Sequence, residues 1–200
     1  MRIVFLFSLF LFISQGCAKK YTAKEYIEFV NKDNEYNKEK EETGYLFKCQ
    51  FKPLAYVAAI EIINSSDSIT KQRFEKEKES FEQGLYFNFI MASENGDEII
   101  KEKNLYRYNE VQNFLLTRMN ECFFLITPES DTIKTSIYQY TKSNGYSPDL
   151  SFIVTFPNKS ISKYDYVDFV YIDKLLGLSE PVKLRFDSKT LNNTGQELIF

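Results

Sequence analysis

Tyr45-Leu46-Phe47-Lys48-Cys49-Gln50-Phe51-Lys52-Pro53 is the stretch on which the reading of the fold turns. Tyr45, Phe47, Cys49 and Phe51 alternate with Leu46, Lys48, Gln50 and Lys52. A period of two sets one apolar face against one mixed face, the pattern of a half-buried strand, and it predicts that Cys49 points into a core. Pro53 has no N–H to give a ladder and ends the strand. Leu54 to Ile63 then reads either as a helix opened by Pro53 or as a buried strand, and the alanines at 55, 58 and 59 favour the helix.

Downstream, Gly84 closes a charged helical pattern that runs from Asp67 to Gln83, with Phe74 and Phe81 on one side and pairs such as Arg73 with Glu77 and Lys78 with Glu82 on the rest. Such a charge run is the ordinary dress of a solvated helix face, with a docking helix for a charged partner as the sharper alternative. Leu85, Phe87, Phe89 and Met91 alternate with Tyr86, Asn88 and Ile90 in a second strand, which heads for a turn at Asn95-Gly96. Asn109 to Met119 fits helix and strand equally, and Cys122 to Thr127 is apolar on both faces, as in a central strand covered on both sides. Asp131 to Tyr140 and Leu150 to Phe156 flank the turn-rich residues 142 to 149, which predicts a hairpin with a long loop. Tyr166 to Ile172 and Val182 to Phe186 supply the last two strands, joined through Gly177 and Pro181.

Upstream, Thr22 and Glu25 stand in the spacing of a capping box, and Tyr26, Ile27 and Val30 follow at helical intervals. Asn31 to Thr43, rich in Asn, Lys and Glu and closed by Gly44, reads as a frayed helix end and loop. The class expected is α+β: a mainly antiparallel sheet of about seven strands, with two or three helices mostly in the N-terminal half. A β-sandwich with an added helix is the alternative architecture.

The chemistry of the chain is bounded by what it lacks. With no histidine, it cannot form a Ser-His-Asp or Cys-His arrangement or offer imidazole to zinc. Only seven glycines are spread over 200 residues, and neither a GxSxG elbow, a phosphate-cradling GxxxxGK[ST], a GxGxxG nor a CxxC pair is present. Lysines and arginines number 25 against 28 acids and form no basic stripe, so nucleic acid is not an expected partner. No cofactor is implied.

Met1-Arg2, the apolar run Ile3 to Ile13 and Ser14-Gln15-Gly16-Cys17 form a further pattern. The run is too short for the roughly 20 helical residues that cross a hydrocarbon layer, but it suits the roughly 7 to 15 of an export signal. Gly16-Cys17 resembles a bacterial lipobox, in which the cysteine is acylated and becomes the new amino terminus; Ser14 and Gln15 stand where that pattern usually has Leu and a small residue. A plain secretory signal and an uncleaved apolar anchor are the alternatives. The expected division is 1–16 as lipoprotein signal peptide, 17–21 as lipid-anchor tether and 22–200 as a single α+β domain. Removal of Arg2 with the signal moves the formal charge from −3 to −4.

The order Cys17, a capped helix at Thr22, then Cys49-Gln50-Phe51-Lys52-Pro53 with Tyr56 close behind resembles uncharacterised lipoproteins of Bacteroidetes-type bacteria, over about the first third of the mature chain. The resemblance implies an outer-membrane location, because Ala18 is not the Asp that retains some lipoproteins in the inner membrane. It implies a periplasm-facing orientation, because no acidic run follows Cys17. It implies no activity.

Four sets of residues are candidates for function. Cys17 is the lipidation site. Cys49 and Cys122, in an oxidising compartment, either form a disulfide or remain two buried thiols. Tyr138, Tyr140 and Tyr146 form a candidate exposed ligand surface among fourteen tyrosines and nineteen phenylalanines. Asp165, Asp168 and Asp173 crowd one segment without the spacing of a calcium loop, and an exposed strand face accounts for them; no metal site is expected. The functional expectation is a non-catalytic lipoprotein that uses a sheet face or strand edge to bind another envelope component. The alternatives are a glycan or small-ligand binder, and a carboxylate-dependent envelope hydrolase needing two acids roughly 5 to 9.5 Å apart in a cleft.

Overall fold

The computed structural model describes residues 20–65, 70–95, 99, 108–141, 148–158, 161–193 and 198–200. The class is α+β, with eleven strands and five α-helices among the described residues. The helices are α1 (Ala23–Lys32), α2 (Leu54–Asn64), α3 (Lys71–Ser80), α4 (Tyr108–Thr117) and the single turn α5 (Ser188–Leu191). The first sheet runs β2 (Asn37–Glu42), β3 (Tyr45–Lys52), β4 (Gly84–Ser93), β8 (Leu150–Pro157) and β7 (Ile137–Thr141), all antiparallel. The second runs β10 (Val182–Asp187), β9 (Tyr166–Tyr171), β5 (Phe123–Ile126) and β6 (Thr132–Lys134), also antiparallel. A short parallel pair, β1 (Tyr21–Thr22) with β11 (Leu198–Ile199), ties the two ends of the described chain together.

The two sheets face each other, so the sandwich arrangement is contained within the α+β class. Phe87 on β4 lies 5.3 Å from Phe169 on β9 and 5.4 Å from Phe186 on β10, ring centre to ring centre. Phe89, two residues on, meets Phe123 of β5, Phe169 and Tyr171 at 5.3 Å each. All six rings are buried. Each such pair adds about 0.5–1.5 kcal/mol beyond the area it removes from water, so the facing rings are the main cement between the sheets.

The three long helices before β4 gather at one end of the first sheet. α1 opens on the expected capping box: the Glu25 N–H donates to Thr22 Oγ1 at 3.3 Å, and the Thr22 N–H donates to Glu25 Oε2 at 2.9 Å. β3 and β4 are sheet neighbours, yet α2 and α3 form the excursion between them, and the register pairs Lys52 with Tyr86 where the helices leave and return. α2 buries Ala55, Tyr56, Ala58, Ala59 and Ile62, which is why its sequence is apolar nearly all round. In α3, Phe74 is buried, while Phe81 falls past the helix end and sets its ring edge against Tyr86 at 5.8 Å. The anticipated i,i+4 pairs give way to Lys78 with Glu75, and Arg73 donates to Ser65 Oγ.

Several expectations change. Asn31 to Thr43 is not a frayed end and loop throughout: its second half is β2, an edge strand. An edge strand needs only one partner and can carry charge on both faces, which also discourages pairing with another chain. β2 and β3 are joined by Thr43-Gly44, both at positive φ, 52° and 80°, the geometry whose twist fits a two-residue hairpin. Tyr21 belongs to the domain and not to the tether, since it is buried and pairs with Leu198. Asn109 to Met119 resolves as α4 followed by a 3-10 turn at Met119–Glu121. β5 is less covered than expected, with Phe124 and Ile126 half-buried on its outer face. Asp131 to Tyr140 is two strands, because the chain passes from the second sheet to the first between Lys134 and Ile137. Gly96 of the turn at Asn95 and the loop residues 142–147 lie outside the described residues.

Candidate functional site

The residues singled out for function fare differently. Cys17 and Tyr146 lie outside the described residues. Cys49 and Cys122 are two buried thiols and not a disulfide. Burial pushes the Cys49 thiol well above its ordinary range, and that of Cys122 up to about 12. Raised pKa values keep both thiols protonated at neutral pH, and their burial makes them small core residues.

Tyr138 and Tyr140 do not present an exposed surface. On β7 the outward positions are Ile137, Gln139 and Thr141, and the two tyrosines turn inward at the sheet edge, where Tyr140 packs on Phe152 at 5.3 Å. The alternation was legible; which phase of it faced the core was not, because both phases contain residues a core or a surface accepts.

The acidic trio divides into separate structural tasks. Asp168 forms a two-pronged pair with Arg185 at 2.8 and 3.0 Å, and that guanidinium stacks 3.5 Å over Tyr166. Asp173 organises the connection from β9 to β10: its carboxylate accepts the N–H groups of Leu175, Leu176, Gly177 and Leu178 and the hydroxyl of Tyr171. Burial alone would raise its pKa, but these donors outweigh it and hold the carboxyl below its usual value. The Asp165 carbonyl caps the N–H of Ser188 at the start of α5. Among the described residues, no group of three or more Cys, Asp or Glu is gathered to hold a metal ion.

Two groupings of carboxylates stand out among the described residues, and each is engaged in local bonds. Glu129 and Asp131 share the Tyr164 hydroxyl at 3.4 and 3.1 Å on an exposed turn. Glu25, Glu28 and Asp33 line a groove along α1, but Glu25 serves the capping box and Asp33 accepts the Glu35 N–H.

The surface best suited to recognition is the outer face of the first sheet. Its cross-strand rows run Gln50, Asn88, Ile153, Gln139; then Lys48, Ile90, Ser151, Thr141; then Lys52, Tyr86, Thr155, Ile137. Across β3, β4, β8 and β7 this face carries no Asp or Glu, in a chain with 28 of them. Ile137 is 68% and Ile153 36% exposed, and Lys48, Gln139 and Thr141 are exposed as well. Glu39 and Glu41 border the face on β2.

One corner is built up by the helices. Asn31, near the end of α1, accepts from Gln50 Nε2 and from the Tyr56 hydroxyl, each at 2.9 Å. Lys52 sets its ammonium 5.8 Å from the centre of the Tyr56 ring, and burial lowers its pKa. Next to it, Tyr86 folds over Gly84: a Cβ on Gly84 would come within 2.7 Å of the Tyr86 ring and 3.0 Å of Thr155. A groove of about 860 Å3 is lined by Lys48, Gln50, Asn88 and Ile90 of this face, by Asn31 and Asn34, by Glu39 of β2 and by Lys183 and Arg185 of β10. In the sequence these side chains are only the mixed face of two strands; all four strands lack Asp and Glu, and the register is what joins their alternate positions into one face.

Compared with family models, with curated proteins and with solved structures, the chain matches none. Among the described residues, no helix is long and apolar enough to cross a membrane.

Proposed function

We propose that the protein is a non-catalytic lipoprotein of the bacterial cell envelope, acylated at Cys17 and held on the periplasmic side of the outer membrane, that docks another envelope component on the outer face of its first sheet. The observation that carries this reading is the acid-free outer face of β3, β4, β8 and β7, with Ile137 and Ile153 in water and two lysines, Lys48 and Lys52, along β3. A flat face of aliphatic, amide and hydroxyl groups with a basic margin suits a neutral or acidic partner. The signal-like residues 1 to 16 and Gly16-Cys17 support the anchor. A glycan reading loses its support at Tyr138 and Tyr140, which face inward.

The test is capture of partners from detergent-solubilised envelopes by the full chain and by a variant carrying Ile90→Lys and Ile153→Lys. The expected outcome is one component recovered by the parent and lost by the variant, with thermal unfolding little changed. Recovery of the same components by both would overturn the assignment of the face.

A further inference from the structure

From an apolar groove between the start of α1, the end of α2 and β11 we infer that the domain itself sits on the lipid bilayer, with an apolar patch of Ile27, Ile63, Ile199 and Phe200 lowered into the membrane interface beside the anchor. The inference rests on the acylation of Cys17 proposed above. Among the described residues, seven large apolar side chains are conspicuously exposed, and three of them gather here: Ile63 at 42%, Ile199 at 51% and Phe200 at 45%. Together with Thr22, Ala23, Lys24 and Ile27 they line an open apolar groove of about 650 Å3. Phe200 is braced from behind by Phe74, ring centres 5.1 Å apart, so its position is set by the domain and not by the membrane.

The occupant follows from chain length. Thr22 pairs with Ile199 and Tyr21 with Leu198, so the patch is built onto the very residues where the tether ends. From Cys17 to Tyr21 the chain makes four steps of at most about 3.6 Å, a reach of about 14 Å. Acyl chains on Cys17 enter the hydrocarbon, so that reach confines Tyr21 and Thr22 to the headgroup zone and brings the patch with them. Lys19, Lys20 and Lys24 flank it in sequence, the basic surround expected of a surface that meets phosphate headgroups. An anchored domain with a short tether and an apolar face at its root gains from burying that face where the anchor already holds it.

The test uses the acylated full chain in vesicles of phosphatidylethanolamine and phosphatidylglycerol, with a nitroxide on Ile63→Cys and, separately, on Glu41→Cys at the far end of the first sheet. The native thiols Cys49 and Cys122 are buried and do not compete for the label. At residue 63, collisions with membrane-soluble oxygen should exceed those with a water-soluble nickel chelate several-fold, and the order should reverse at residue 41. Phe200→Cys provides a second site if Ile63→Cys does not fold. If intact mass shows an acylated Cys17 while residue 63 is as aqueous as residue 41, this inference is overturned and the anchor stands. An unmodified Cys17 overturns both. Shielding of residue 63 from both reagents with dipolar broadening between labels would mean that a second copy covers the patch, and would also overturn it.

Discussion

The two faces of the first sheet are made by the same strands and differ only in the parity of the residue number. The inner face carries Phe47, Cys49 and Phe51 from β3, Leu85, Phe87, Phe89 and Met91 from β4, and Phe152, Val154 and Phe156 from β8, all buried. The outer face, from the alternate positions, is half-buried to exposed and free of acids across four strands. The inner face holds the fold together by contacts that any loss of volume weakens. The exposed positions of the outer face, Lys48, Ile137, Gln139, Thr141 and Ile153, can be altered at small cost to the fold, and under the docking proposed above the cost of altering them falls on binding instead. That difference can be broken or sharpened by substitution.

The largest effect belongs to the inner face. Phe89→Ala removes a ring that touches four others and should destabilise the domain by about 3–5 kcal/mol in denaturant unfolding. A loss under about 1 kcal/mol would mean that the sheets are not cemented where the rings meet.

Next comes Asp173→Asn, which removes the charge from a carboxylate that organises four backbone N–H groups, at a cost of about 1.5–3 kcal/mol. Its pH dependence has a definite sign. The folded pKa lies below the unfolded value of about 3.9, so the stabilisation is complete above that pH and is lost as pH falls through the folded pKa. The parent chain should therefore lose stability on acidification below about pH 4 more steeply than the Asp173→Asn variant. Parallel acid profiles would refute the role of the carboxylate.

On the outer face, Ile137→Lys and Ile153→Lys should change stability by no more than about 0.5 kcal/mol each while abolishing partner capture. A large loss of stability from either would place that face in the core and erase the contrast. The smallest effect is a gain: Thr43 is a β-branched residue at φ 52°, and Thr43→Asn should stabilise the β2–β3 hairpin by a few tenths to about 1 kcal/mol.

Much of the fold was legible where one force dominates. The alternation in Tyr45–Lys52 and Leu85–Met91 reports burial of one face, and Thr22 with Glu25 reports a local hydrogen-bond pattern; both survive into the structure because neither depends on distant residues. β2 was illegible, since an edge strand of Lys and Glu is fixed by the backbone of β3 and leaves no hydrophobic trace. Tyr138 and Tyr140 show the same limit at the site: on the edge strand β7 the phase of the alternation is set by pairing with β8, and tyrosine is at home on either face. Each of the four strands is free of Asp and Glu in the sequence itself, but that their alternate positions form one continuous face emerges only when the strands are brought into register.

The central claim is that the outer face of the first sheet is a docking surface, and the most direct measurement is photocrosslinking in intact envelopes. A photoreactive amino acid at residue 153 should give one adduct of defined added mass, and the same group at residue 189, exposed on α5, should give none. Equal yields at the two positions, or no adduct at residue 153, would contradict the account.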